Sequence, residues 1–485
     1  MTSLSDPDLL TAAERLRLSP TQSDMWMEQA RYSTSDMLLI STRHLMPVAL
    51  DVDRFRQATD EVLRTNEAFF MRLHASDEGV PLASFNPANA PTCQFVDLSH
   101  FSDPQDELTR QMDAVATTPF TMLDAPLVRI VLYKLDARLY CFLCTAHHIV
   151  ADGWAMGITL PRIADRYRSL AEDPHSPPLA LDRAMSTYLR AGADKPDDAY
   201  VARASAFWQK LQSELPVPIK PAHPAQDARS EYRCERIEFA IGRGAANRLA
   251  HLVEGVTLYH ILLFAWAHLL RRTYSLERCT MSMPILNRGK EHKDTIGLFM
   301  AVRALPIPHD ENASIADNLH SIARRIRDLF RHYKLPNSEI GRLAASNGLS
   351  PQESLLSSSS LSYITRDYGA EIEGHQTQMH CVWSKDQLLP FTLYAMDIYP
   401  ERDITMYLLH HLRAANHEEA ALFPARFHFI LEQLANGLDR PLRELDIIPP
   451  EERARIRAAL DNTHARRSAS QPVLHDILAR ARQCP

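Results

Sequence analysis

Glycine is scarce, with 14 among 485 residues against 31 prolines. So few glycines leave little material for phosphate-cradling loops, and neither GxGxxG nor GxxxxGK occurs. Cysteine is sparse too. Its seven positions (93, 141, 144, 234, 279, 381 and 484) form no regular framework, and their number is odd. That reads as reduced thiols in a cytoplasmic protein. Positive charge is not in excess: 53 Lys+Arg against 60 Asp+Glu give a net charge of −7. The basic stripe of a nucleic-acid binder is therefore missing. No apolar run is long enough for a membrane span. Val256 to Leu270 comes nearest, but His260 and His268 interrupt it and Arg271–Arg272 close it. Short of ~18 clean apolar residues, it reads as a buried helix. Asp6, Asp8, Glu14, Arg15 and Arg17 near the start do not fit a signal peptide.

What is present is ordinary globular material, 45% apolar and 23% charged, so a core of normal size can form. Helical and extended patterns alternate, which predicts a mixed α/β (α+β) fold. Asp51 to Asn66 reads as a helix capped by Asp51, with Phe55, Ala58, Val62 and Leu63 on its apolar side. Leu127 to Leu135 and Arg138 to Val150 read as two strands joined at Asp136–Ala137. Ser314 to His332 is a helix capped by Ser314, with Ile315, Leu319, Ile322, Ile326 and Leu329 on one face. Glu419 to Asn436 reads as a late helix ended by Gly437. The Pro-rich stretch Leu215 to Ser230 and the polar stretch Asn462 to Gln471 are the two breaks. They divide the chain into a first lobe over 1–215, a linker over 216–230, a second lobe over 231–447, and a C-terminal segment over 448–485.

The sharpest chemical feature is His147-His148-Ile149-Val150-Ala151-Asp152-Gly153-Trp154, at the end of a strand. Adjacent strand side chains point to opposite faces, so only one of the two histidines faces a given cavity, which argues against joint metal ligation. An imidazole there suits proton transfer near neutral pH. Asp152 can orient it or pair with an arginine, and Gly153 can let the backbone turn tightly. Cys141 and Cys144 face opposite sides of their strand and read as core residues. The run Arg324, Arg325, Arg327, Arg331 and Lys334 reads as a solvated helix face with cations near its C-terminal end. Ser357 to Ser360 lacks a GxSxG frame and reads as a loop before a strand.

At HHIVADGW the chain resembles the condensation domains of nonribosomal peptide synthetases, and further segments share the resemblance. Ser19-Pro20-Thr21-Gln22-Ser23-Asp24-Met25-Trp26 is similar to the family's SxAQxRxW opening, with Asp24 in place of the usual Arg. Met283-Pro284-Ile285-Leu286-Asn287-Arg288 resembles its Pro…Asn-Arg segment, and Thr295-Ile296-Gly297-Leu298-Phe299 its IGxFVN motif, with Ala301 at the usual Asn. Arg331-His332-Tyr333-Lys334-Leu335-Pro336 resembles the later His-Gln-x-x-Pro motif. Tyr188 and Phe207-Trp208 fall where the family carries a Tyr and a helix-borne Trp. Of the RHExLRTxF stretch, over Thr65 to Leu73, only Glu67 is clearly kept. Pro472 to Leu478 looks like the first helix of an adenylation domain.

The resemblance implies two chloramphenicol-acetyltransferase-like lobes in a V-shaped pseudo-dimer with a central tunnel. It implies a floor from Pro284 to Phe299 and a strand near 370–390 crossing from the second lobe to the first. It implies acyl transfer to an amine, with His148, His147, Asp152 and Gly153 as catalytic positions and Asp152–Arg288 as a structural ion pair. Trp154, Tyr188 and Ser362 are its candidates for the tunnel wall. No metal and no bound cofactor are implied, because coenzyme A or phosphopantetheine carries the substrates. The Thr-Asn-Glu-Ala variant at 65–68 and the His-Tyr-Lys-Leu-Pro stretch resemble starter-type members. These take an acyl group from acyl-CoA or an acyl carrier protein. The acceptor would sit on a downstream peptidyl carrier protein, beside an adjacent adenylation domain. Elongation condensation domains and non-catalytic modules of the same fold are the alternatives. The latter typically lose the His-His-Asp pattern that is intact here.

Overall fold

The computed structural model describes residues 14–32, 35–192, 196–212, 219, 223, 232–346 and 358–461. The expected linker over 216–230, apart from Ile219 and His223, lies outside the described residues, as do Ser357 and everything from 462 onward.

The first half contains α1 (Pro20–Arg31), β1 (Leu39–Met46), α2 (Val52–Thr65), β2 (Gln94–Asp97), β3 (Val128–Asp136), β4 (Leu139–His147), α3 (Gly153–Glu172), α4 (Ala184–Ala191) and α5 (Asp198–Gln212). The second half contains β5 (Cys234–Ile241), α6 (Leu258–Thr273), β6 (Thr280–Ile285), β7 (Ala301–Pro306), α7 (Ile315–His332), α8 (Asn337–Ser346), β8 (Ser359–Ile364), β9 (Met379–Val382), β10 (Phe391–Met396), β11 (Ile404–His411) and α9 (Phe423–Asn436). Two large sheets organise these elements into a mixed α/β fold. One has the order β9-β1-β4-β3-β2 and the other β7-β6-β8-β10-β11-β5.

β4 is central to the first sheet and almost wholly buried, which explains its near-continuous apolar run. Its alternation splits two packing regions. Phe142, Cys144 and Ala146 join the main first core, whereas Cys141 and Leu143 pack with Leu108, Met112 and Tyr133 on the other face. Cys141 and Cys144 are thus separated by the sheet, and burial pushes both thiols up to about 12. The strand ends at His147 rather than Val150, because the chain turns there. α2 begins where the sequence places it. Asp51 accepts the Arg54 N–H, and Phe55, Ala58, Val62 and Leu63 are buried against the first core. α7 is likewise capped by Ser314 and buries its expected face. Arg324, Arg327 and Arg331 are exposed on its other side, and Lys334 is exposed just past its end.

Further details differ from the sequence pattern. The late helix is two helices, His417–Ala420 and Phe423–Asn436. Pro424 lacks an N–H, so it suits the first turn of a new helix and not the continuation of an old one. α5, which precedes the expected linker, joins the second core. Ala204, Trp208 and Leu211 of α5 pack in the second core, and Trp208 donates its indole N–H to the His332 carbonyl at 3.0 Å. Conversely Ile296, Phe299, Ala370 and Ile372, all from the second half, pack in the first core. Finally, the strand expected after the serine cluster begins within it, at Ser359. Ser359 opens β8 as a buried residue whose hydroxyl accepts the Trp266 indole N–H at 2.8 Å.

The halves are also joined by β9, a second-half strand that pairs antiparallel with β1 at the edge of the first sheet, Met379 opposite His44 and Val382 opposite Ser41. Asp36 secures the turn that follows. It accepts the Ser384 hydroxyl at 2.6 Å and the Asp386 N–H at 3.1 Å.

Candidate active site

The site is assembled where β4 ends and α3 begins. The His148 N–H donates to the Leu38 carbonyl at 2.8 Å, so the turn is held against the chain entering β1. The two histidines then part. His147 is fully enclosed. Its Nε2 is 3.0 Å from Gln29 Oε1, and its Nδ1 accepts the Ile149 N–H at 3.1 Å. That pattern fixes the neutral tautomer with the proton on Nε2. Burial pushes its pKa down to about 3, assisted by the neighbouring His148. With both ring nitrogens engaged, His147 cannot shuttle a proton. It braces the turn against α1.

His148 is different. The residue is half-buried, and its Nδ1 is buried without a hydrogen-bond partner. Burial moves the imidazole below its ordinary value, against the opposing pull of Asp152 and of the backbone at His148 and Ala151. It is therefore neutral near pH 7 and competent to accept a proton.

Asp152 is 1% exposed and caps α3 by accepting the Ala155 N–H at 2.9 Å. Arg288 Nη2 donates to its two oxygens at 3.0 and 3.1 Å. The backbone N–H groups of Phe299 and Met300 complete the shell at 3.1 and 3.2 Å. Arg288 also donates to the carbonyls of His292, Thr295 and Gly297, and its guanidinium lies 4.4 Å from the Phe299 ring centre. The segment 288–300 is thereby folded around one buried ion pair beneath the His148 turn. Such a pair, its carboxylate and both terminal guanidinium nitrogens hydrogen-bonded, suits positioning and not proton exchange.

Gly153 opens α3 and is exposed. It has no positive φ, and a Cβ there would meet open space, so the tight turn does not demand glycine. Its bare N–H instead stands among the unpaired donors at the start of a 20-residue helix.

Trp154 donates its indole N–H to the Lys293 carbonyl at 2.8 Å, and the Arg366 guanidinium covers its ring at 4.4 Å. Tyr188 is 5% exposed and packs against the rings of His292 and Phe299. It supports the Arg288 segment from the side of α4. Ser362 lies on β8 opposite Tyr394, alternating with buried Leu361. It is half-buried on the face away from the second core, in a different sheet from the His148 turn.

Several contributors escaped the sequence reading. Gln22 donates to the Ile149 carbonyl at 3.1 Å, and Gln29, seven residues on and so on the same side of α1, holds His147. Their spacing was the available signal. Arg162 of α3 reaches the Asp294 carbonyl and Asn66. Tyr368 sits so close over α3 that a Cβ on Gly157 would lie 1.9 Å from its Cδ1. Glu67 accepts the Ser186 N–H at 2.6 Å and so anchors α4, which carries Tyr188. Asp24, at the altered motif position, accepts the Asn337 N–H of α8 at 3.2 Å.

A model of the condensation-domain family matches residues 12–457. The chain belongs to the condensation-domain family. Domains of this family form amide bonds in nonribosomal peptide synthetases, and this chain is an acyltransferase of that type. One component of the linear gramicidin synthase of Brevibacillus parabrevis is 25% identical over 410 residues, 80% of this chain and 5% of that protein. Malpibaldin synthetase of Mortierella alpina is 23% identical over 345 residues, 69% of this chain and 6% of that protein. The chain thus spans a small part of the curated relatives it matches. Among solved structures, the starter condensation domain of rhizomide synthetase bound to C8-CoA and Leu-SNAC has a TM-score of 0.77 and 17% identity, covering 92% of this chain and 100% of that one. The first condensation domain of the calcium-dependent antibiotic synthetase has a TM-score of 0.75 and 19% identity, covering 90% and 100%. These likenesses agree on the fold. Among the described residues, no helix is long and apolar enough to cross a membrane.

Proposed function

We propose that this condensation domain is of the starter type. It joins an acyl group, fatty or short, to the amine of an aminoacyl group held on a peptidyl carrier protein. The donor is an acyl-CoA or acyl carrier thioester. The amine attacks the thioester carbonyl, the carbonyl–sulfur bond breaks, and an amide and a free thiol result. His148 carries this reading, because it is the half-buried neutral imidazole whose Nδ1 has no partner. It takes the proton of the attacking amine or holds the amine in place through a hydrogen bond. The N–H of Gly153 at the start of α3 favours the developing oxyanion. Asp152 and Arg288 hold that helix start and the segment under it in register. Trp154, beside Gly153, is the side chain best placed to line the approach.

Holding both thioester arms in one site supplies up to ~7–11 kcal/mol through proximity. Starter function draws support from the motif variants at 65–68 and 332–336 and from the fold shared with the rhizomide starter domain. An elongation role, joining peptidyl and aminoacyl carriers, is the alternative outcome of one experiment. A carrier protein loaded with an amino acid is incubated with this domain and a panel of acyl-CoA thioesters and followed by intact-mass spectrometry. An added acyl mass that vanishes in His148→Ala supports the starter reading. Transfer from carrier-bound donors alone replaces it with carrier-dependent donor use, with elongation as the leading form. Near-normal turnover in His148→Ala overturns the role of His148.

A further inference from the structure

A second cluster of reactive side chains lies outside this site, on the small three-stranded sheet of Leu16–Arg17, Met71–His74 and Leu82–Phe85. His74 Nδ1 is 2.5 Å from Asp124 Oδ1, and His74 Nε2 is 2.7 Å from Ser84 Oγ. A carboxylate on Nδ1 keeps the proton there and leaves the Nε2 lone pair for the serine hydroxyl. Asp124 has φ 56, in the left-handed region that non-glycine residues seldom adopt, and its N–H donates to the Leu73 carbonyl at 2.9 Å. Strain of that kind gathers where a side chain has to be aimed. Here it pins the carboxylate beside the residue that precedes His74.

The strand register places Arg72 opposite Ser84 and His74 opposite Leu82, so all four side chains share one face. The Arg72 guanidinium is turned to the Met71 and Asn89 carbonyls, and Leu82 gives the face an apolar side suited to a short acyl chain. Ser84 is half-buried, and the His74 side chain keeps 21% of its surface exposed. A small electrophile can therefore reach them.

We propose that Ser84, His74 and Asp124 form a second nucleophilic centre that accepts short acyl groups from activated esters and thioesters. Ser84 Oγ attacks the acyl carbonyl while its proton passes to His74 Nε2. The carbonyl–sulfur bond breaks, the sulfur leaves with that proton as a free thiol, and an acyl-serine ester remains. Water then attacks the ester as His74 takes its proton. The carboxylic acid departs, and the proton returns to Ser84 Oγ.

The test treats the full chain with a fluorophosphonate reagent and maps the adduct by peptide mass spectrometry, with p-nitrophenyl acetate hydrolysis as a parallel assay. An adduct on Ser84 is expected. His74→Gln should slow its formation by ~10²-fold or more, and Asp124→Asn should slow it as well. Melting curves matching the native chain show that the variants are folded. No adduct on Ser84 of the native chain under excess reagent overturns the proposal, as does labelling undiminished in folded His74→Gln. If His74→Gln does not fold, labelling of native Ser84 together with the Asp124→Asn rate decides.

Discussion

Arg288 and Asp152 stand 136 residues apart in sequence, yet one guanidinium nitrogen reaches both carboxylate oxygens, and the two side chains are 3% and 1% exposed. Removing the carboxylate strands a buried cation and the backbone donors of Ala155, Phe299 and Met300. Asp152→Ala should therefore lose on the order of 3–5 kcal/mol of stability, read as a lower denaturation midpoint or soluble yield. A variant that melts like the native chain but forms no amide would move Asp152 from structure into chemistry.

Gly157 and Tyr368 make the second prediction. The Gly157→Ala methyl would overlap the Tyr368 ring, which packs edge-on against Trp154. The ring has to move, at a cost of ~1–3 kcal/mol. The segment that carries Arg366 and Tyr368 should lift from Trp154, shifting tryptophan fluorescence and slowing amide formation. Unchanged fluorescence with native turnover would show that this cover has no part in the site.

The pH dependence of amide formation follows from His148. Its folded-state pKa lies below the ordinary ~6.5, so the acid limb of the kcat/KM profile should fall below that value, with activity retained on the neutral side. An acid limb well above ~6.5 in that profile would contradict a half-buried imidazole, neutral near pH 7, as the group being titrated.

Glu28 gives a stability prediction of opposite sign to that of the buried histidines. Burial raises its pKa to about 7, and Asp24, one turn earlier and itself raised to about 6, adds to the effect. Because the folded value exceeds the unfolded one, its contribution is fully present below ~4.5 and is lost as pH rises through about 7. Glu28→Gln removes that loss. Relative to the native chain it should gain on the order of 1–3 kcal/mol between pH 5 and pH 8, allowing for partial exposure. Equal pH dependence of the two melting temperatures would show that Glu28 is solvated.

By itself the sequence determined the local elements and the family. The caps at Asp51 and Ser314, the apolar stripes of α2 and α7, and the hairpin of β3 and β4 all depend on neighbours within a few residues, and each is visible as spacing. The octet from His147 to Trp154 is likewise contiguous, and the Asn287-Arg288 motif marked a partner for Asp152 through resemblance. Strand alternation already sets the two histidines on opposite faces, but only the tertiary structure decided what each ring meets. The difference lies in Gln29, 118 residues away, which occupies one ring and leaves the other alone. It also decided which core each segment joins, assigning α5 to the second and 296–299 to the first. Periodicity records that a residue is to be buried but not against what. Burial is non-directional, whereas the hydrogen bonds and ion pairs that define this site require partners brought close by the whole chain.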